Sequence, residues 1–139
     1  MPTALVNGRV LSGDRFLEHR GVLLEGGRIL ELVAKDDPRL NGLETHDLQG
    51  QLLLPGFLDT QVNGGGGVLF NDEPSIEAIA KIGRAHRRFG TTAFLPTLIS
   101  DDLDVVARAI AAVRDAIAAG VPGVLGIHIE GPFLNAARR

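Results

Sequence analysis

From residue 51 onward the sequence alternates short apolar runs with amphipathic helical ones, and this alternation restricts the fold more than any other feature. QLLLPGFLDTQVNGGGG, residues 51–67, begins apolar and ends in polar residues and four glycines. Residues 72–90 carry Ile76, Ile79, Ile82 and Phe89 at helical spacing, with Pro74 and acidic residues near the start and Gly90 just past the end. TTAFLPT, 91–97, reads as a second strand. A second helix bears Leu103, Val106, Ala107, Ile110 and Ile117 and stops at Gly120 and Pro122. Ser100-Asp101-Asp102 offers it cap and dipole partners. GVLGIHIE, 123–130, is the third strand. Strand, helix, strand, helix, strand predicts an α/β architecture of parallel strands joined by right-handed crossovers.

The first fifty residues differ in character. ALVNGRV, 4–10, and VLLEGGRILELV, 22–33, are β-rich, and Gly26-Gly27 is the dipeptide a tight hairpin turn prefers. Residues 35–44 form a polar loop, after which His46 to Gly50 lead into the next strand. Residues 1–50 are therefore expected to be a small antiparallel β segment, and 51–139 a separate α/β unit. The chain stops just after the third strand, where another crossover is due, so a piece of something larger is expected.

Composition removes several function classes. A net charge of −3 with no basic block, and six Phe without Trp or Tyr, argue against a nucleic-acid surface or a base-stacking platform. No uncharged run approaches the ~20 residues of a membrane span. Cysteine is absent, which removes thiolate metal sites and cysteine nucleophiles and fits a cytoplasmic setting. No GxSxG motif supplies a serine nucleophile.

The chemistry concentrates at GIHIEGPF, 126–133. A strand alternates its faces, so His128 and Glu130 share one side and Ile127 and Ile129 the other, before a turn at Gly131-Pro132. Glu130 reads either as a solvated strand end or as a metal-binding or catalytic carboxylate. His128 is favoured as a packed or hydrogen-bonded group. Asp59, Gln61 and Asn63 alternate at the end of the first parallel strand. Amides are weak ligands for transition metals, so Gln61 and Asn63 read as hydrogen-bonding groups or as turn residues. Gly64 to Gly67 match neither phosphate-loop fingerprint, which leaves a flexible active-site loop or a plain tight connection. Lys81, Arg84, Arg87 and Arg88 read as a solvated helix face, and His19 and His86 have no spacing that recruits them.

PGFLDTQVNGGGG (55–67), GTTAFLPTLIS (90–100) and LGIHIEGPFLN (125–135), in this order and spacing, resemble the N-terminal part of the N-acetylglucosamine-6-phosphate deacetylases of the amidohydrolase superfamily. The resemblance implies a (β/α)₈ TIM barrel, here its first three strands, preceded by part of a small β-domain. It implies metal-assisted hydrolysis of an amino-sugar phosphate acetamide to acetate and glucosamine 6-phosphate. Glu130 falls on the family's metal ligand, and Gln61, Asn63 and His128 are expected to line the site. One divalent metal, zinc or iron, is implied, because Gln61-Val62-Asn63 stands where many amidohydrolases carry His-x-His. The family's acid/base and two further histidine ligands have no counterpart here, so no catalytic residue lies in this chain, and it is expected to be inactive alone. The implied partners are the small-molecule substrate and, for a full-length form, further copies of itself. The other readings are a galactosamine-type deacetylase, a base deaminase, or a non-catalytic α/β binding module.

Overall fold

The computed structural model describes residues 1–131, 133 and 137, and the chain divides into two units, Met1–Pro55 and Gly56–Arg139. The division falls after Pro55 rather than Gly50 because Leu52 and Leu53 pair with Arg9 and Val10 and so belong to the first sheet.

In the first unit, β1 (Thr3–Ser12), β2 (Arg15–Glu25) and β3 (Arg28–Ala34) form an antiparallel meander. Gly26 and Gly27 sit at φ 58° and 76°, the left-handed pair that lets Glu25 face Arg28 across a two-residue turn. A 3₁₀ turn at Pro38–Leu40 then carries the chain to β4 (Glu44–Asp47), which joins β1 in parallel, as does β5 (Leu52–Leu53). The expectation of an antiparallel segment is thereby corrected to a mixed sheet, ordered β3-β2-β1-β4. The physical reason is the 35–43 connection, long enough to cross over and return the chain in the direction of β1. Ala4, Leu23 and Val33 are buried at its core, with Val6, Leu40 and Leu43 packed around them.

The second unit follows the sequence alternation. β6 (Phe57–Val62) leads through a short hairpin, β7 (Gly64–Gly65) and β8 (Val68–Leu69), to α1 (Ile76–Arg87), β9 (Thr91–Ile99), α2 (Leu103–Ala118) and β10 (His128–Glu130). Among the described residues, β6 and β10 pair in parallel on either side of β9. Ser75 caps α1, its Oγ accepting from the Ala78 amide at 3.1 Å. Asp102 is the N-cap of α2 but makes no side-chain capping bond. Ser100, expected to help cap that helix, is used elsewhere.

The helices bury one face of the sheet. Phe70, Ile79, Ile82, Phe94, Leu98 and Val113 lead a core to which both helices and β9 contribute. Gly83 lets α1 approach β9 closely, since a Cβ built there would lie 2.8 Å from Phe94 Cε1. No helix among the described residues is long and apolar enough to cross a membrane.

Gly83→Ala separates two opposed effects. Alanine gains about 1 kcal/mol of helix propensity, whereas pushing a methyl into the buried Phe94 ring costs about 1–3 kcal/mol. A net loss of stability is expected in urea denaturation, and a gain would show that the ring moves aside freely. In the first unit, the Gln49 amide and Asn7 side chain donate to Asp47 at 2.8 and 3.1 Å and hold its carboxyl below the usual range. That contribution is fully present above the ordinary aspartate pKa near 4 and is lost as pH falls through the depressed value. Asp47→Asn is therefore expected to flatten the acid limb of the stability curve.

Candidate functional site

The carboxyl ends of β6, β9 and β10 lie side by side, and register decides which side chains meet there. Val124 bridges Phe94, whereas His128 pairs with Thr97, so three steps on β9 match four on the chain leading into β10. The 123–130 strand read from sequence is thus broken by one extra residue and forms a ladder only from His128 to Glu130. The interruption has a consequence for chemistry. Without it Ile127 and Ile129 would fall on the face of Thr97 and Ile99. With it those isoleucines pack into the helix-side core, and His128 and Glu130 take the opposite face.

Two register irregularities act similarly on β6, one between Phe57 and Leu58 and the other between Asp59 and Val62. Asp59 Oδ1 accepts from the Gln61 amide at 3.1 Å across the second. Val62 is buried in the core at 2% exposure, which turns its neighbours Gln61 and Asn63 away from the helices.

Gln61 Nε2 donates to Glu130 Oε2 across a long 3.4 Å. The two strand ends that carry polar residues in the sequence therefore meet in space. Glu130 is half-buried, and its backbone carbonyl accepts from Ser100 Oγ at 2.8 Å, the use to which that serine is put. His128 does not join Glu130; its Nδ1 lies 3.3 Å from Oγ1 of the fully buried Thr97. The Thr97 hydroxyl also donates to the Leu95 carbonyl at 3.2 Å. With its one proton used there, the Thr97 oxygen accepts from Nδ1–H of His128.

Asn63 is half-buried just past β6, and its carbonyl accepts from the Phe70 amide at 2.8 Å. Between these residues the four glycines form an ordered hairpin. Gly64 faces Leu69, Gly65 faces Val68, and Gly66 and Gly67 turn at φ 63° and 81°. His86, to which the spacing gives no role, holds this hairpin through Nε2 donating to the Gly64 carbonyl at 2.8 Å. Of the two readings open to these glycines, the geometry matches the tight connection, strapped to α1 by His86.

Among the described residues no group of three or more His, Asp and Glu side chains converges. The donor set is one half-buried carboxylate, one imidazole engaged with threonine, and two amides. It fits a single carboxylate ligand to a divalent ion and does not by itself enclose one. Pro132, Leu134 and Asn135 of the HIEGPFLN motif lie outside the described residues.

Known proteins are similar to this chain over nearly its whole length. The chain is 43% identical over 132 residues to an N-acetylgalactosamine-6-phosphate deacetylase of Shewanella sp. (strain ANA-3), a match covering 94% of this chain and 34% of that protein. It is 34% identical over 139 residues to the N-acetylglucosamine-6-phosphate deacetylase of Haemophilus influenzae, covering 100% of this chain and 36% of that one. A solved structure of the Pasteurella multocida N-acetylglucosamine-6-phosphate deacetylase superposes with a TM-score of 0.92 at 30% identity, over 99% of this chain and 36% of that one. The chain resembles the amino-sugar 6-phosphate deacetylases. It spans about a third of the length of these deacetylases. No family model matches it.

The hairpin strap can be tested directly. His86→Ala removes one hydrogen bond with a net worth of about 1 kcal/mol, so the amides of the Gly64–Leu69 pair are expected to exchange about fivefold faster. Residue-resolved hydrogen exchange measures this, and unchanged rates would show that backbone pairing alone holds the glycines.

Proposed function

We propose that this chain supplies the first three strands of a (β/α)₈ barrel, with residues 1–50 part of a small β-domain, in a metal-dependent amino-sugar 6-phosphate deacetylase. The observation that carries the reading is Glu130, a half-buried carboxylate at the carboxyl end of a parallel strand, facing Gln61 from the first. Active sites of such barrels lie at that end. The open sheet supports the barrel as well. Phe57, Leu58 and Leu125 are 64%, 58% and 57% exposed, apolar surface that closure of a barrel would cover.

In this reading Glu130 is a ligand to one divalent ion, zinc or iron, and Gln61, Asn63 and His128 line the substrate side. Bound there, the ion supplies polarisation of the acetamide carbonyl and a lowered pKa for water. Gln61 donates toward the carboxylate and limits its rotation. His128, held by Thr97, presents its other nitrogen to the site face. The acid/base and remaining ligands belong to the length that the relatives have and this chain does not. The reading carries with it a small phosphorylated amino sugar as partner, a homo-oligomeric form and a cytoplasmic location.

A galactosamine-type substrate has its own support in the 43% identity to the Shewanella enzyme, against 34% to the Haemophilus glucosamine enzyme. The two sugars differ only at C4, so turnover of each by one protein distinguishes them.

In a polypeptide that continues this chain to its relatives' length, Glu130→Gln is expected to reduce acetate release by about 10³-fold. That equals roughly 4 kcal/mol of transition-state stabilisation. Metal content measured on the same samples should fall with it. Undiminished turnover would remove Glu130 from the metal site.

A further inference from the structure

Asn71 follows the buried Phe70 just after the glycine hairpin, and its side chain does what a strand would do. Its Oδ1 accepts from the Ile99 amide at 2.9 Å while its Nδ2 donates to the Ile99 carbonyl at 2.9 Å. The second Nδ2 hydrogen goes to Asp101 Oδ2 at 3.0 Å. β6 accompanies β9 only as far as the Val62↔Pro96 pair, after which the chain leaves for the hairpin. The amide of Asn71 takes over beside Ile99 and completes that edge of the ladder. One planar group must accept once and donate twice, and among side chains of this length only asparagine does so. Aspartate would keep the acceptor, lose both donors and face Asp101.

Ile99 is the β9 partner of Glu130, and Ser100, the next residue, holds the Glu130 carbonyl. The last rung of the β9–β10 ladder is therefore clamped on its far side by Asn71. We propose that Asn71 is a positioning residue for Glu130, acting through Ile99 and Ser100, and that it couples the glycine hairpin to the site. The role rests on the reading of Glu130 as a metal ligand, while the coupling itself is measurable without metal.

The test uses the 139-residue chain, with residue-resolved amide exchange and NMR of the Glu130 carboxyl carbon and the Gln61 side-chain amide. Asn71→Ala is expected to speed exchange at Ile99 by about fivefold to tenfold. The Glu130 and Gln61 side-chain signals should move, while Val113 and Ala109 in α2 remain as protected as before. Unmoved Glu130 and Gln61 signals overturn the proposal. A uniform loss of protection throughout the second unit also overturns it, because Asn71 would then be a general structural residue. Asn71→Asp keeps the shape and the acceptor, so it answers the same question if the alanine variant does not fold; failure of both to fold counts against the proposal. The metal-ligand reading stands or falls separately, on whether Glu130→Gln lowers divalent-ion uptake in the longer polypeptide.

Discussion

Everything in the second unit depends on β9 being paired in parallel on both edges while one of its faces is covered by helices. Parallel ladders need crossovers, and the crossovers here bring two helices onto the face that presents Phe94 and Leu98. The contact is close enough that α1 has Gly83 opposite the Phe94 ring. With that face committed to the core, the remaining face and the strand ends are where polar groups can be held. Thr97, fully buried yet hydrogen-bonded, lies at this boundary and fixes the neighbouring His128.

The sequence exposes this framework well where periodicity is strong. Both helices are legible in position, and Gly26-Gly27 signals the hairpin that it makes. The buried face of α2, however, is not the one read from its large apolar residues. Val106 is buried while Leu103, Ala107, Ile110 and Ile117 are exposed, and the helix packs through Ala109, Ala112, Val113 and Ala116. Phe89 beyond α1 is exposed too. Features that depend on distant partners are hidden. Nothing local marks Asn71, because its backbone partner Ile99 is 28 residues away and the asparagine reads as an ordinary loop residue. Ser100 misleads for a related reason: serine before a helix is a natural cap, and only the structure shows its hydroxyl bonded to the Glu130 carbonyl. The parallel return of β4 is equally invisible, since a polar connection does not announce the direction in which the chain comes back.

The candidate site was legible in its chemistry and not in its assembly. Glu130 and Gln61 stand out as polar strand ends, and they meet. His128, Glu130's apparent companion on the same strand face, is instead engaged with threonine. The glycine tetrad could be read as mobile or as tight. The choice between these readings turns on His86, which sits 22 residues beyond its partner Gly64.

The single extra residue ahead of β10 has a genetic corollary. In-frame loss of one codon among Leu125, Gly126 and Ile127 would leave three steps facing three on β9, so His128 would still fall opposite Thr97 and Glu130 opposite Ile99. In-frame loss of Ile129 would instead carry the carboxylate round to the helix side, opposite Leu98. The protein would keep its charge and every residue named in the site. Inheritance of this site therefore requires conserved spacing within the ladder as much as conserved residues.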